Sequence, residues 1–370
     1  METVYVDGSA GEGGGQILRT SLALSCITGK NLHIENIRAA RRNPGLAKQH
    51  LSCVEAARQI CDGQCRGDAL HSQVLDFQPR RVRGGNFSFD IGSAGSASLV
   101  IQTVLPALFL AEKPSTVTVT GGTHNPWAPP FDFLAETFLP AIGAAGFHAG
   151  CQLIKHGFFP AGGGKVAFNI QPWRQNTDGT IVFCEPSGER QIYARIYTAK
   201  LPEHIAQRQK RLLRQSGLII RNVEHIEVTD SDGPGNCVTI RLVASSSAAW
   251  GWRGITTVFT AFGQRGKPSE KVVGEVVGLA KDFLAGGAAV DRFLADQLLV
   301  YMAISNPRPG GEKPALHRTP DGAAKAGGCY TTNDLSTHLT TNIETIKKFL
   351  PVTFTIDQQN QVHRISCHPE

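Results

Sequence analysis

The sequence predicts an α/β (α+β) fold in which repeated βαβαββ-type units form a large main domain and a smaller αβ domain is inserted. Two observations predict it. A strand-and-helix pattern recurs at a period of roughly eighty residues. One stretch of about a hundred residues, enough for a small domain, interrupts that recurrence with a pattern of its own.

Taken in order, the first strand is the run Val4-Tyr5-Val6. It leads into Gly11-Glu12-Gly13-Gly14-Gly15-Gln16 and then an apolar helix, Ile17–Thr28. An alternating strand follows over Asn31–Ile37 and ends in the Pro-bearing loop RAARRNPGL. The second unit repeats the order: the loop Gly92-Ser93-Ala94-Gly95-Ser96, the helix Ile101–Ala111, the strand Ser115–Thr120 and the loop GGTHNPWAPP. A third apolar helix spans Asp296–Ser305. Aligned on the single polar residue near each helix start, Arg19, Gln102 and Gln297 fall in register. Helices packed on one face of mixed sheets about a common axis would bring these starts together at one site. Capping of three separate helices is the other reading of the same residues.

Residues 183–282 break the pattern with a basic amphipathic helix, Glu203–Ser216, strands near Val223–Val228 and Val238–Val243, and a helix near Ser269–Leu284. The expected division is therefore 1–182 with 283–370 as the repeat-built catalytic domain, and 183–282 as the inserted αβ domain. The stretch Asn306–Asp334, rich in Gly, Pro, Lys and Thr, reads as a long surface loop.

Composition narrows the function classes. Of 370 residues, 41% are hydrophobic and 18% charged, which excludes a wholly disordered chain. No uninterrupted apolar run reaches the roughly 18 residues of a membrane span. The opening METVYVDGSAGEGGG lacks the basic and apolar regions of a signal peptide. The nine cysteines are odd in number, scattered and free of CxxC pairs. That speaks against a zinc ribbon and for reduced thiols in the cell interior. A net charge of +6 permits an anionic partner such as a nucleotide or RNA. The cations cluster at Arg38, Arg41, Arg42 and Lys48, at Arg80, Arg81 and Arg83, and at Arg208, Lys210, Arg211 and Arg214. For each group, phosphate binding and a solvated face both stay open.

The glycine-rich loop at 11–16 follows a strand and opens a helix, where backbone N–H groups cradle phosphate. It is neither GxGxxG nor a Walker A sequence. Glu12 inside it would repel phosphate unless a divalent cation lay between them; complementing the helix dipole is its plainer role. Arg38 and Arg41, three apart in a loop, can set two guanidinium forks around one phosphate. Gly162-Gly163-Gly164 reads first as a tight turn. His338, in Ser336-Thr337-His338-Leu339-Thr340-Thr341-Asn342, enters a helix, and its unprotonated ring nitrogen can attack phosphorus. No GxSxG elbow, HExxH helix or kinase motif is present.

These motifs, in order over nearly the whole chain, resemble the RNA 3′-terminal phosphate cyclases. The matching elements are DGSAGEGGGQILR (7–19), IRAARRNPGLAKQH (37–50), IGSAGSASLVIQTVLPAL (91–108), GGTHNPWAPP (121–130), HGFFPAGGG (156–164), DGPGN (232–236), FLADQ (293–297) and HLTTNIETIKKFLPVTF (338–354). The repeat architecture is also similar to that of the enolpyruvyl transferases, which would not need HLTTN.

The resemblance implies an enzyme. It would convert an RNA 3′-phosphate end to a 2′,3′-cyclic phosphodiester, with ATP cleaved to AMP and pyrophosphate through an adenylylated histidine and an RNA–adenylate. It assigns His338 as the nucleophile, with His317 as runner-up, and Glu12 as the metal-linked glutamate for Mg2+ or Mn2+. Arg38 and Arg41, with Arg19 and Gln49, fall to phosphate of ATP or of the RNA end. Gln102, Phe293, Leu294, Ala295, Asp296 and Gln297 fall to ATP, Asp296 orienting the histidine or the nucleotide. The partners implied are ATP and RNA with a 3′-phosphate end, without a membrane, and with a homodimer as a candidate assembly. The location implied is cytoplasmic, or nuclear in a eukaryote. A similar branch that lacks the histidine serves ribosome assembly without catalysis; this chain keeps His338. It departs from the family in the lead-in Asp334-Leu335-Ser336-Thr337 and at Arg42-Asn43.

Overall fold

The computed structural model describes residues 2–173, 180–186, 188–244, 255–305, 317–318, 324–325, 328–359 and 361–370. The first unit runs β1 (Thr3–Asp7), α1 (Gly15–Thr28), β2 (Asn31–Glu35), α2 (Lys48–Cys61), β3 (Gln64–Arg66) and β4 (Leu75–Gln78). The second runs β5 (Asn86–Asp90), α3 (Ala97–Leu108), β6 (Ser115–Gly121), α4 (Phe131–Phe133), α5 (Leu139–Gly143), β7 (Ala149–Lys155) and β8 (Gly164–Ile170). A π-helical turn, Leu134–Phe138, joins α4 to α5. A third unit opens with β9 (Val182–Phe183).

Next come β10 (Arg190–Ala199), α6 (Glu203–Arg214), β11 (Ile220–Val228), β12 (Gly235–Ala244), β13 (Thr257–Phe262) and α7 (Ser269–Gly286). The third unit then resumes with α8 (Arg292–Ile304), the two-stranded pair β14 (His317–Arg318) and β15 (Ala324–Lys325), β16 (Cys329–Thr332), α9 (Thr337–Lys347), β17 (Val352–Gln359) and β18 (Val362–Pro369).

The three units share one topology. Their sheets are ordered β1-β2-β4-β3, β5-β6-β8-β7 and β9-β16-β18-β17. In each, the first two strands are parallel and the rest pair antiparallel. A parallel pair needs a crossover, and α1, α3 and α8 provide it. The predicted α/β class and βαβαββ order are observed, and α6–α7 with the sheet β11-β10-β12-β13 enter between β9 and α8.

Burial follows the pleat: β6 alternates buried and half-buried positions, with Val117 and Val119 turned inward. One apolar core runs through all three units, from Leu22 and Leu105 to Leu298 and Ile346. A separate core, with Ile196, Ile240, Phe259 and Val276, lies between β10–β13 and α6–α7. Among the described residues no helix is long and apolar enough to cross a membrane.

Two expectations change. Cys184 and Cys329 form a disulfide, with Cα atoms 6.4 Å apart, against the expectation of reduced thiols throughout. The pairing of β9 with β16 sets Cys329 opposite Val182 and brings the two cysteines together. Of the expected loop Asn306–Asp334, residues 329–332 form β16, and 317–318 and 324–325 are paired. Residues 306–316, 319–323 and 326–327 lie outside the described residues, as does the side chain of His317.

Candidate active site

The site is built where the helix starts converge. Ser336 caps α9, its Oγ accepting from the Leu339 N–H at 3.1 Å. The α9 face bearing Leu339, Ile343 and Ile346 is buried, which leaves His338 in the first turn with its ring about half exposed. The 11–15 loop is pinned against the same helix. Gly11 has φ +58°, and a Cβ there would lie 2.0 Å from Thr341 Oγ1, so only glycine allows the approach. The loop thereby holds Glu12 and Gln16 under His338.

His338 Nδ1 lies 2.5 Å from Gln16 Oε1. Gln16 Nε2 donates to Asp296 Oδ2 at 3.3 Å, which fixes the amide with its oxygen toward the ring. Nδ1–H is then the donor to Oε1, and Nε2 carries the free lone pair. Burial holds the imidazole below its usual pKa, helped by the cations Arg19, Arg41 and Arg292. Burial, then Asp291, push the Asp296 carboxyl up to about 7, against the pull of Arg19 and Gln16. Its Oδ1 is buried without a hydrogen-bond partner among the described residues. Asn342 Nδ2 donates to the Asp296 carbonyl at 2.7 Å, and Thr20 Oγ1 to Asn342 Oδ1 at 2.8 Å, tying α1, α8 and α9 together.

Glu12 Oε2 is 4.0 Å from His338 Nδ1. Arg41 ion-pairs with the Glu12 carboxylate and donates to its carbonyl at 3.1 Å. Arg38 Nη1 donates to Gly45 O at 2.7 Å. Burial, then Arg19 and Arg38, push His50 down to about 3, so it stays neutral and accepts from the Ala47 N–H at 3.1 Å. Gln49 Oε1 accepts from the Ser96 N–H at 3.2 Å, which joins the start of α2 to the second glycine loop.

Beside His338 a cavity of about 330 Å³ opens, with Gln16, Arg19, Gln102, Asp296 and Gln297 as polar lining and Phe293 among the apolar residues. Val258, Thr260 and Phe262 of β13 complete it from the other side. Gln102 and Gln297 are hydrogen-bonded to each other across it. Leu294 and Ala295 turn into the core, and the Leu294 N–H is taken by the capping Asp291 carboxylate at 3.2 Å. Tyr330 OH donates to Ala295 O at 2.6 Å.

Arg19, Gln102, Asp296, Gln297, Glu12, Arg41 and His338 therefore meet at one cleft. Gln16, Asn342 and Arg292 stand there too, and the sequence reading gave them no role. Gln16 lies three residues before Arg19 and Asn342 four after His338, so helical spacing was the signal that could have found them.

Among the described residues no group of three or more His, Cys, Asp or Glu side chains could hold a metal by itself. A lone Glu12 fits a Mg2+-like ion only where substrate phosphates complete the shell, which is how that ion is commonly held.

Fold and cleft together define an enzyme, an α/β protein of three like units that presents a histidine held below its usual pKa beside arginines and a cavity of about 330 Å³. The family model for RNA 3′-terminal phosphate cyclase matches residues 10–356. A protein of that name from Pseudomonas fluorescens is 40% identical, covering 100% of this chain and 98% of its own. One from Ralstonia nicotianae is 40% identical over 96% and 94%, and one from Salmonella agona 39% over 98% and 96%. The chain belongs to the RNA 3′-terminal phosphate cyclase family.

Proposed function

We propose that this protein converts an RNA 3′-phosphate end to a 2′,3′-cyclic phosphodiester, with ATP cleaved to AMP and pyrophosphate, through AMP–His338. The observation that carries the reading is the Asp296–Gln16–His338 chain of hydrogen bonds, which engages Nδ1 and leaves Nε2 unprotonated. In the first step the Nε2 lone pair bonds to the α-phosphorus as the bond to the bridging oxygen breaks and pyrophosphate leaves. The ring gains positive charge, and Gln16 Oε1 accepts its Nδ1–H. In the second step an RNA 3′-phosphate oxygen displaces the imidazole and forms an RNA–adenylate anhydride. In the third the ribose 2′-oxygen bonds to the 3′-phosphorus, AMP departs and the hydroxyl proton is released. That step gains from proximity, since nucleophile and phosphorus share one ribose.

Arg19, Arg38, Arg41 and Gln49 serve phosphate, and Gln102 and Phe293–Gln297 serve ATP, Leu294 and Ala295 by supporting the wall from beneath. A Mg2+ or Mn2+ ion shared by Glu12 and the triphosphate would neutralise charge and assist pyrophosphate departure. The catalytic domain would comprise 1–182 and 283–370 with 183–282 inserted, which the two separate apolar cores support. A cytoplasmic location agrees with ATP and RNA as substrates.

The test is incubation with α-labelled ATP and metal, without RNA. An acid-labile label on the protein, absent in His338→Ala, is expected. Label retained in that variant would move the nucleophile elsewhere, and ATP bound without label would mean a scaffold without the chemistry.

A further inference from the structure

Two exposed aromatic rings stand at the mouth of the cleft. Trp127 is 69% exposed and Phe159 43% exposed, with ring centroids 4.8 Å apart in an edge-to-face pair. Trp127 also borders the cavity that holds His338. Their backbone is fixed. The Trp127 N–H donates to Asn125 Oδ1 at 3.1 Å, and Asn125 Nδ2 donates to Ala94 O at 2.9 Å. Phe158, next to Phe159, is buried as an anchor. Gly162 (φ +71°) lies so close to the second glycine loop that a Cβ would meet Ala94 Cα at 2.7 Å. That loop is tied through Ser96 to Gln49 on the phosphate side of the site.

We propose that Trp127 and Phe159 form a stacking platform for a nucleobase of the terminal dinucleotide of the RNA. The inference rests on the reading of the site as an RNA cyclase. An RNA whose 3′-phosphate reaches His338 brings a base within one nucleotide of the cleft mouth, where the rigid exposed rings stand. Arg19 and Arg292 line the same cavity as Trp127, which suits a strand with its phosphate among the cations and its base on the rings. Pairing a cationic track with aromatic faces is how proteins hold single strands without reading sequence, because every base has a π-face. An end-processing enzyme needs that tolerance.

The test is binding of a fluorescent 3′-phosphate oligonucleotide, read by anisotropy without ATP. Trp127→Ala should weaken binding about 5- to 150-fold and Phe159→Ala less, while Trp127→Phe retains most affinity. Wild type should lose a similar factor on an oligonucleotide whose last two nucleotides are abasic, and Trp127→Ala should lose little more on it. Equal affinity for intact and abasic ends, or fully additive losses, would overturn the proposal. So would a loss in Trp127→Ala confined to ATP binding, which would make the rings part of the ATP site. RNA-free labelling by ATP reports on the cyclase reading separately, so the two ideas fail by different readouts.

Discussion

Replacing Gln16 by Leu tests the hydrogen-bond chain behind His338 most directly. The variant keeps the side-chain volume but removes the acceptor 2.5 Å from Nδ1 and the donor 3.3 Å from Asp296 Oδ2. As Nε2 bonds to phosphorus the ring becomes cationic, so the lost hydrogen bond is one to a charged group. Such bonds contribute about 1.5–3 kcal/mol, which predicts a fall of about 10- to 150-fold in the rate of protein–AMP formation. The assay is single-turnover labelling with α-labelled ATP at saturating metal, repeated from pH 5 to pH 9. In wild type the rate should rise with pH through a midpoint below the ordinary histidine value and level off near neutrality. The reason is that burial and the cations hold His338 low and the neutral ring is the reactive form. Gln16→Glu keeps an acceptor and adds negative charge, so it should recover part of the plateau and shift the midpoint upward. Wild-type rates in Gln16→Leu would refute the reasoning, as would a loss wholly in the ATP KM with an unmoved pH profile.

Glu12→Ala should reduce labelling chiefly by raising the metal concentration needed for half-maximal rate; an unchanged metal dependence would remove the bridging role. Asp296→Asn should stabilise the fold at high pH while slowing labelling. The Asp296 carboxyl stands at about 7 against 3.8 when unperturbed, a gap worth on the order of 4 kcal/mol. Because the folded pKa is raised, the penalty is absent below about pH 4, grows as pH rises and is complete above about pH 7. Denaturant unfolding should therefore find the variant gaining on wild type across that window, and a pH-independent difference would mean that the carboxylate is not held in this way. RNA affinity should fall with salt as Lys and Arg release counterions; a flat response would separate the arginine clusters from phosphate.

Sequence made the repeats legible because each unit carries one polar marker in an otherwise apolar helix. Boundaries were less legible. The helix predicted over Ile101–Ala111 spans Ala97–Leu108, since the glycine loop before it has no periodicity and the bonds Leu110 N–H to Ala107 O and Ala111 N–H to Leu108 O tighten its end into a turn. The disulfide escaped because it needs the pairing of β9 with β16 across 145 residues of chain. The arginine groups looked alike in sequence and differ in space. Arg41 meets Glu12 under His338, whereas Arg80 and Arg83 pair with Asp62, and Arg208 with Glu270, on the exposed surface. Gln16 and His338 are 322 positions apart, so no local pattern could join them.

The three units explain how one fold element can perform unlike tasks. The second residue of the second helix is Gln49 in the first unit, Asp132 in the second and His338 in the third. Gln49 holds the neighbouring glycine loop through Ser96. Asp132 accepts from Tyr197 OH at 2.5 Å and Arg195 at 3.4 Å, both on β10, and meets His124 Nε2 at 3.1 Å. Burial would raise its carboxyl, but His124, Tyr197 and Arg195 outweigh that and leave it at about 2, an ionised clasp on the inserted strands. His338, at the same place, faces an open cleft with nothing opposite its Nε2 among the described residues. Helix starts present side chains at the unit edge with the backbone already fixed, so the residue type at that point decides between loop tie, clasp and the nucleophile proposed for His338. The clasp also reaches the cavity wall, since it holds β10 of the sheet whose β13 supplies Val258, Thr260 and Phe262 to the cavity lining.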